Sequence, residues 1–391
     1  MTDTIDQMFV SLKAFLVGLM PGSWEWIVRP IISVAAIIGT FAGLFALTTV
    51  LERKGLGRIQ NRYGPNRVGP FGILQPLADG LKAMTKEDIV PRAADKIVHF
   101  IAPFILVVPA FLALAVIPVG RNMAAIDIDA GVLFFFAVGA STEMAVFMAG
   151  WSSRNKYSLL GAMRGIAQMV SYEVPLILST VSVIMIVGSL SLVTIVNAQA
   201  GYSWILPHWF VLTPWGLAGF ILFMIAATAE SNRSPFDLPE GESEIIAGYY
   251  VEYSGFKFAL FFLGEYIGMF AVNGMAITLF LGGWHAPLSF LTWIPSYVWF
   301  FGKLFCLVAL LIWVRGTLPR LRIDQLMNFA WKFMLPMALM NILAAAIWYF
   351  MPAGFVRWAI CLGLVIGFYY VLGHALFAHK NLTKRVYRYA E

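Results

Sequence analysis

Charge is what this sequence has least of. Only 12% of its 391 residues are Asp, Glu, Lys or Arg, where a soluble domain averages about 25%. With 60% hydrophobic residues and a mean hydropathy of +0.79, that scarcity excludes an ordinary soluble domain and leaves an integral membrane protein. Cysteine is nearly absent. Cys306 and Cys361 stand alone inside apolar runs without a CxxC pair, so no metal or iron–sulfur site is expected from them. Histidine is equally sparse. Only His374 lies well inside an apolar run, so paired ligands for a haem are missing. There is no P-loop and no Ser-His-Asp set, and Gly55–Gln60 (GLGRIQ) lacks the third glycine of a dinucleotide fingerprint. The chain is therefore expected to hold no redox cofactor of its own. The opening MTDTIDQ has two aspartates and no basic stretch, which argues against a cleaved signal peptide.

What is present in quantity is apolar length. Crossing about 30 Å of hydrocarbon takes about 20 residues. Nine runs reach or approach that, at roughly 27–51, 97–119, 131–150, 159–187, 213–230, 256–281, 293–314, 331–350 and 356–378. The expected fold is an all-α, polytopic membrane protein, with 1–391 forming one membrane domain. The formal charge of +6 then reports orientation. The connections 52–96, 151–158, 231–255 and 315–332, with the tail 379–391, hold 20 of the 27 Lys and Arg; the opposite side has only Lys13, Arg29, Arg121 and Arg357. By the positive-inside rule the first group faces the cytoplasm, or the mitochondrial matrix in an organelle. Nine spans then put the N-terminus outside and the C-terminus inside. The outer connections, such as 188–212 and 282–292, are nearly uncharged and rich in Trp, as an interfacial aromatic belt is.

Against this background the acids are conspicuous. Glu230–Glu252 holds six of the chain's 21 acidic residues. Glu143, Glu173 and Glu265 fall inside apolar runs, where a charge costs at least about 2.5–3.5 kcal/mol on an isolated helix. Glu52 and Glu230 sit at cytoplasmic span ends. Counted along the spans, these acids form a line from the acidic loop to mid-membrane, and none falls in an outer half. Pro175, two residues beyond Glu173, frees the Ser171 carbonyl and is expected to bend its helix. The competing reading is that Arg164, Lys257 or Lys303 neutralise these acids and merely fix helix packing.

Two connections carry the remaining pattern. The basic loop 52–96 places Arg53, Lys54, Arg58, Arg62 and Arg67 among glycines and prolines. Phe71 to Lys86 then turns amphipathic, with Ile73, Leu74, Leu77, Leu81 and Met84 at helical spacing and Asp79 near that face. An interfacial helix is expected there. In the acidic loop, 230–255, Glu240 and Glu244 would share a helical face with Glu242 across from them, and SPFDLP reads as a fixed turn.

LERKGLGRIQNRYGPNRVGPFGILQPLADGLKAMTKED and AESNRSPFDLPEGESEIIAGYYVEYSG, with SYEVPL around Glu173 and VRGTLPRLRIDQLM from Val314, carry a resemblance. They resemble the signature segments of the H subunits of respiratory NADH–quinone oxidoreductase (complex I), counterparts of the first mitochondrial NADH dehydrogenase subunit. The resemblance runs from about the first span through the eighth; Ser231 stands where the family commonly has Thr. It implies a subunit joining a proton-pumping membrane arm to a peripheral arm whose subunits carry FMN and iron–sulfur clusters. The substrate would be a quinone, with ubiquinone expected over menaquinone, and the location a bacterial inner membrane. It further implies that Glu143, Glu173, Glu230, Glu240, Glu242, Glu244 and Glu252 belong to an acidic proton route, with Glu52 at its edge and Glu265 added by its position in a span. Arg53, Arg58, Arg62, Asp79 and Phe236 would border the quinone chamber. The rival readings are the membrane subunit of an energy-converting hydrogenase, a proton-coupled secondary transporter and a scaffold.

Overall fold

The computed structural model describes residues 5–19, 21–239 and 241–378. The described residues fold mostly as helix, with one short antiparallel hairpin that pairs Tyr202–Ser203 with Leu206–Pro207. In order come α1 (Met8–Gly18), α2 (Glu25–Ile59), α3 (Gln75–Thr85), α4 (Lys96–Ala115), α5 (Gly131–Gly139), α6 (Ser141–Ser152) and α7 (Lys156–Val187). The second half holds α8 (Leu192–Ala198), α9 (Pro214–Glu230), the single turn α10 (Glu242–Ile245), α11 (Gly255–Phe280) and α12 (Ser296–Thr317). Then follow α13 (Ile323–Phe329), α14 (Leu335–Phe350) and α15 (Phe355–Ala378).

Eight stretches among the described residues are long and apolar enough to cross a membrane: 22–59, 96–115, 131–152, 156–187, 255–280, 296–317, 323–350 and 355–375. The remaining expected span, 213–230, forms as α9, whose 17 residues reach about 25 Å at 1.5 Å per residue. It packs against α7, α11 and α14. The ends follow local rules. Thr213 caps α9 by accepting the Gly216 N–H at 3.2 Å, with Pro214 in the first turn. Asp95 caps α4 through the N–H groups of Ile97 and Val98, and Gly188, in the left-handed region at φ 73°, closes α7.

Helix α11 is the centre of the bundle. Of its most apolar stretch 78% is buried within the chain, against 11% for the first span and 6% for the last. The outer helices therefore present their apolar sides to lipid or to other proteins. Two spans are irregular. The third is broken at Ala140, where the Ser141 and Thr142 hydroxyls donate back to the carbonyls of Val138 and Gly139 at 2.6 and 2.8 Å. The eighth contains a π-helical turn, Ala330–Met334. It packs on α7 at the residues preceding Pro175, where Trp331 Nε1 donates to Ser171 Oγ at 3.3 Å and Tyr172 OH to the Leu326 carbonyl at 3.0 Å. Helix α7 itself runs unbroken through Pro175.

The connections segregate into two faces. On one, Asn155 reaches Glu252, Lys257 reaches Asp88, the Ile89 N–H reaches Ser254, and the Leu321 N–H reaches the Pro235 carbonyl. On the other, Gln7 meets residues 121–122, Ser296 meets Asp6 and Arg121, and Tyr202 meets Ala286. The amphipathic helix forms as α3. Leu77, Leu81 and Met84 are 57–66% exposed on it, as a helix laid against lipid requires. The loop before it is compact. Gly72 has φ 76°, and a Cβ there would lie 2.2 Å from the Pro65 carbonyl oxygen, so only glycine fits.

Helices α6 and α7 approach closely at Gly150, where an added Cβ would lie 2.3 Å from the Ala162 Cβ. Gly150→Val is expected to force them apart and lower stability by about 1–3 kcal/mol. Gly80→Ala, whose Cβ would meet nothing within 4 Å, is the matched control. Thermal unfolding of the detergent-solubilised protein checks both: only the first should melt earlier.

Candidate functional site

The charged face holds two adjoining arrangements. The first is an ion cluster on Glu52, a side chain 4% exposed near the end of α2. Arg233 Nη1 donates to both carboxylate oxygens, at 3.2 and 3.4 Å. Arg315 Nη1 donates to Oε1, and the Tyr266 hydroxyl to Oε2. The Arg233 guanidinium also lies over the Tyr266 ring, 4.0 Å from its centroid. Two guanidiniums on one carboxylate leave the group at +1, and Nε and Nη2 of Arg233 are buried without a hydrogen-bond partner among the described residues. A buried, under-satisfied cation is suited to an electron-rich or anionic group placed beside it.

The second is a cavity of about 80 Å³ inside the bundle, lined among others by Thr142, Glu173, Glu230, Ser231, Asn232, Tyr249 and Glu265. It has room for several water molecules. The Tyr249 hydroxyl donates to Glu265 Oε1 at 2.8 Å. Glu143 stands in the first turn of α6, next to Thr142, and lies with Glu173 within range of the charge on Glu230. Buried oxygens of Glu143 and Glu230 have no hydrogen-bond partner among the described residues. The bases expected as their neutralising partners are engaged elsewhere. Arg164 pairs with Glu244 at 2.5 Å, Lys257 with Asp88 at 2.7 Å, and the Lys303 ammonium donates to the carbonyls of Leu281, Gly283 and His285.

The two arrangements are joined by four consecutive residues. Glu230, Ser231 and Asn232 line the cavity, and Arg233 holds Glu52.

The structure thus gathers Glu173, Glu230 and Glu265 around one space, with Glu143 beside it. Glu252 lies at the surface end, accepting from Asn155 Nδ2 at 2.6 Å. Glu240 and the side chain of Glu242 lie outside the described residues. The helical face expected for Glu240 and Glu244 therefore falls partly outside the described residues, and of the two only Glu244 is described, in α10. Helix α10 is one turn long, bounded by Gly241 and Ile246 at φ 36° and 72°. The basic loop forms a separate group. Arg53 pairs with Asp79 at 2.5 Å, and Gln75 donates to Asp79 at 3.0 Å. Burial alone would raise the Asp79 carboxyl, but these donors outweigh it and hold it below its usual range. Arg58 and Arg62 are exposed. Phe236 is not on that surface. It is buried against Tyr172, with ring centroids 5.3 Å apart, because its backbone carbonyl is fixed by Gln168. Arg233, Arg315, Tyr266 and Tyr249 escape a reading of the sequence alone; the one local signal is a lone arginine inside an acidic loop.

These features define a polytopic membrane protein with a carboxylate-lined cavity beside a buried ion cluster. Residues 32–346 match the NADH dehydrogenase family, and the chain belongs to it. Relatives include the H subunit of NADH-quinone oxidoreductase from Dehalococcoides mccartyi (strain CBDB1), 52% identical over 296 residues that are 76% of this chain and 80% of the relative. The protein of the same name in Geobacillus kaustophilus (strain HTA426) is 50% identical over 303 residues, 76% of this chain and 88% of its own. That of Polaromonas naphthalenivorans (strain CJ2) is 43% identical over 357 residues, 88% and 97%.

Glu52→Gln would leave two buried guanidiniums facing a neutral amide. The expected loss is about 3–5 kcal/mol of stability, whereas Arg29→Gln, at an exposed pair with Glu25, should change stability by less than about 1 kcal/mol. Abundance of the protein in isolated membranes and melting of the solubilised form measure the difference.

Proposed function

We propose that this chain is the membrane subunit of a proton-translocating NADH–quinone oxidoreductase that helps enclose the quinone and passes the charge change of its reduction to a line of glutamates. Family membership and the names of the relatives support the enzyme. The observation that carries the coupling role is the segment 230–233, which ties the cavity carboxylates to the Glu52–Arg233–Arg315 cluster.

The chemistry follows from charge. Reducing a quinone takes two electrons and two protons. In this proposal the electrons come from peripheral subunits that carry FMN and iron–sulfur clusters, and this chain binds none of these. The quinone, ubiquinone by preference, reaches the chamber from the bilayer past α3, whose apolar face and Arg53–Asp79 pair border the entrance. Its polar head approaches the +1 cluster, where Arg233 has donors to spare. Negative charge developing there competes with Glu52 for the guanidiniums. The carboxylates beyond Glu230 respond by changing protonation, because like charges a few ångströms apart in low dielectric do not all stay ionised. The charged face is cytoplasmic in this reading, the membrane is a bacterial inner membrane, and the N-terminus lies on the periplasmic side.

Glu173→Gln and Glu230→Gln each keep shape and remove a titrating group. In the assembled enzyme each is expected to lower quinone-linked proton pumping by about tenfold or more, while NADH oxidation with ferricyanide stays at the parental rate. Quinone-reductase assays and pumping into sealed vesicles test this. Unchanged pumping in both variants overturns the coupling role; loss of the ferricyanide reaction would mean that assembly, not coupling, had failed.

A further inference from the structure

The face opposite the acidic loop carries few charges, and nothing above uses the one at the start of the last span. Two of the cations there are satisfied within the chain. Arg29 pairs with Glu25 at 2.5 Å, and the Lys13 ammonium donates to Ser33 Oγ at 2.7 Å. Arg357, the third residue of α15, has no carboxylate partner among the described residues. The sequence explains why. Asp324 is the last acid before the final residue, Glu391. Helix α15 packs against α14 and α9. Helix α14 has no acid, and the one acid of α9, Glu230, lies at its far end, at the cavity already described. A guanidinium keeps its charge, so a counter-charge for this position comes from outside these helices.

The guanidinium is held in place. It lies over the indole of Trp348, 3.9 Å from the ring centroid, and Trp348 meets Trp358 nearly at right angles, with centroids 5.2 Å apart. Stacking on an indole occupies the face of a guanidinium and leaves its hydrogen-bonding edge available. Nε is buried without a hydrogen-bond partner among the described residues. The donors left to act are on the two terminal nitrogens, a fork that matches two oxygens of one phosphate. Around it the surface is open and apolar: Phe350, Phe355 and Val356 are 61–86% exposed.

Depth follows from the spans. The stretch 323–350 starts at the charged face, where the Leu321 N–H meets the Pro235 carbonyl, so its other end and the start of 355–375 lie at the opposite face. Arg357 is therefore at a membrane edge, and the aromatic side chains beside it belong at headgroup level. A lone positive charge there favours a headgroup of net negative charge. A zwitterionic headgroup would bring an ammonium for which these helices supply no carboxylate.

We propose that Arg357, oriented by Trp348, binds the phosphodiester of an anionic glycerophospholipid at the membrane edge where α14 turns into α15.

The test uses the assembled enzyme in micelles doped with a phosphatidylglycerol that carries a photoreactive diazirine near its headgroup. After irradiation and digestion, the label is expected on peptides covering Tyr349–Trp358. Plain phosphatidylglycerol should displace it and phosphatidylethanolamine should not. Arg357→Gln is expected to cut labelling about tenfold, as loss of a charge-assisted hydrogen bond does. Trp348→Leu leaves the charge but removes the ring that orients it, and should cut labelling about threefold. This second variant keeps the test standing if the first does not assemble. Labelling unchanged in both variants, or equal displacement by phosphatidylethanolamine, overturns the proposal. Displacement by inorganic phosphate as readily as by the lipid overturns the lipid source. Absence of label from 349–358 in the assembled enzyme assigns this edge to a partner subunit and overturns the proposal as well. None of these residues touches the glutamate line, so a negative result leaves the coupling role intact.

Discussion

The structure depends on how one buried carboxylate is held. Glu52 lies in an apolar bundle where an isolated charge would be expelled or neutralised, and it stays because Arg233, Arg315 and Tyr266 surround it. Those partners come from the acidic loop, α12 and α11, and Glu52 itself from α2. A single charge requirement thus draws four elements to one point. It fixes where the acidic loop folds back onto the bundle, and with it the placement of Glu230 at the cavity. The +1 balance left over gives the site a chemical bias that packing alone would not supply.

The cavity carboxylates illustrate the opposite solution. Glu143, Glu173 and Glu230 have no base among the described residues, since Arg164, Lys257 and Lys303 are occupied elsewhere. Two like charges about 4 Å apart repel by roughly 4 kcal/mol even at an effective dielectric of 20. Protons or water must therefore carry what ion pairs do not, and the cavity has space for water. The same chain contains one acid held by two guanidiniums and, close by, acids that no base among the described residues pairs. Two spans near this region are irregular: at Ala140 in the third, where the Ser141 and Thr142 hydroxyls donate to backbone carbonyls, and at the π turn of the eighth, where the Trp331 indole donates to the Ser171 hydroxyl.

Much of this was legible in the sequence because a membrane simplifies the code. Hydrocarbon demands runs of about 20 apolar residues, so span positions follow from composition, and only α9 falls short, because neighbouring helices sheathe it. An acid inside such a run stands out, which is why Glu143, Glu173 and Glu265 could be read directly. The partners could not. Arg233 and Arg315 lie 181 and 263 positions from Glu52, and no spacing rule links residues so far apart. Local rules also failed where the backbone took unusual values. Glu244 was expected on a helical face, yet Gly241 and Ile246, both at positive φ, confine its helix to one turn. Phe236, placed by resemblance at the quinone chamber, is buried against Tyr172 in the core.

The segment 230–233 explains why these pieces belong together. Its first residue lies among the cavity carboxylates and its last is clamped on Glu52, with the Gln168 amide donating to the Ala229 carbonyl at 2.7 Å just before it. Such a link has little freedom to yield. If the charge beside Arg233 changes, the guanidinium either shifts, carrying the segment with it, or stays and transmits the change as a field across a short, poorly screened distance. In the proposed role Glu52 and Glu265 lie within range of that guanidinium's charge, and Glu143 and Glu173 within range of Glu230. The placement of an arginine three residues after a membrane-end glutamate is what converts two separate charge problems into one.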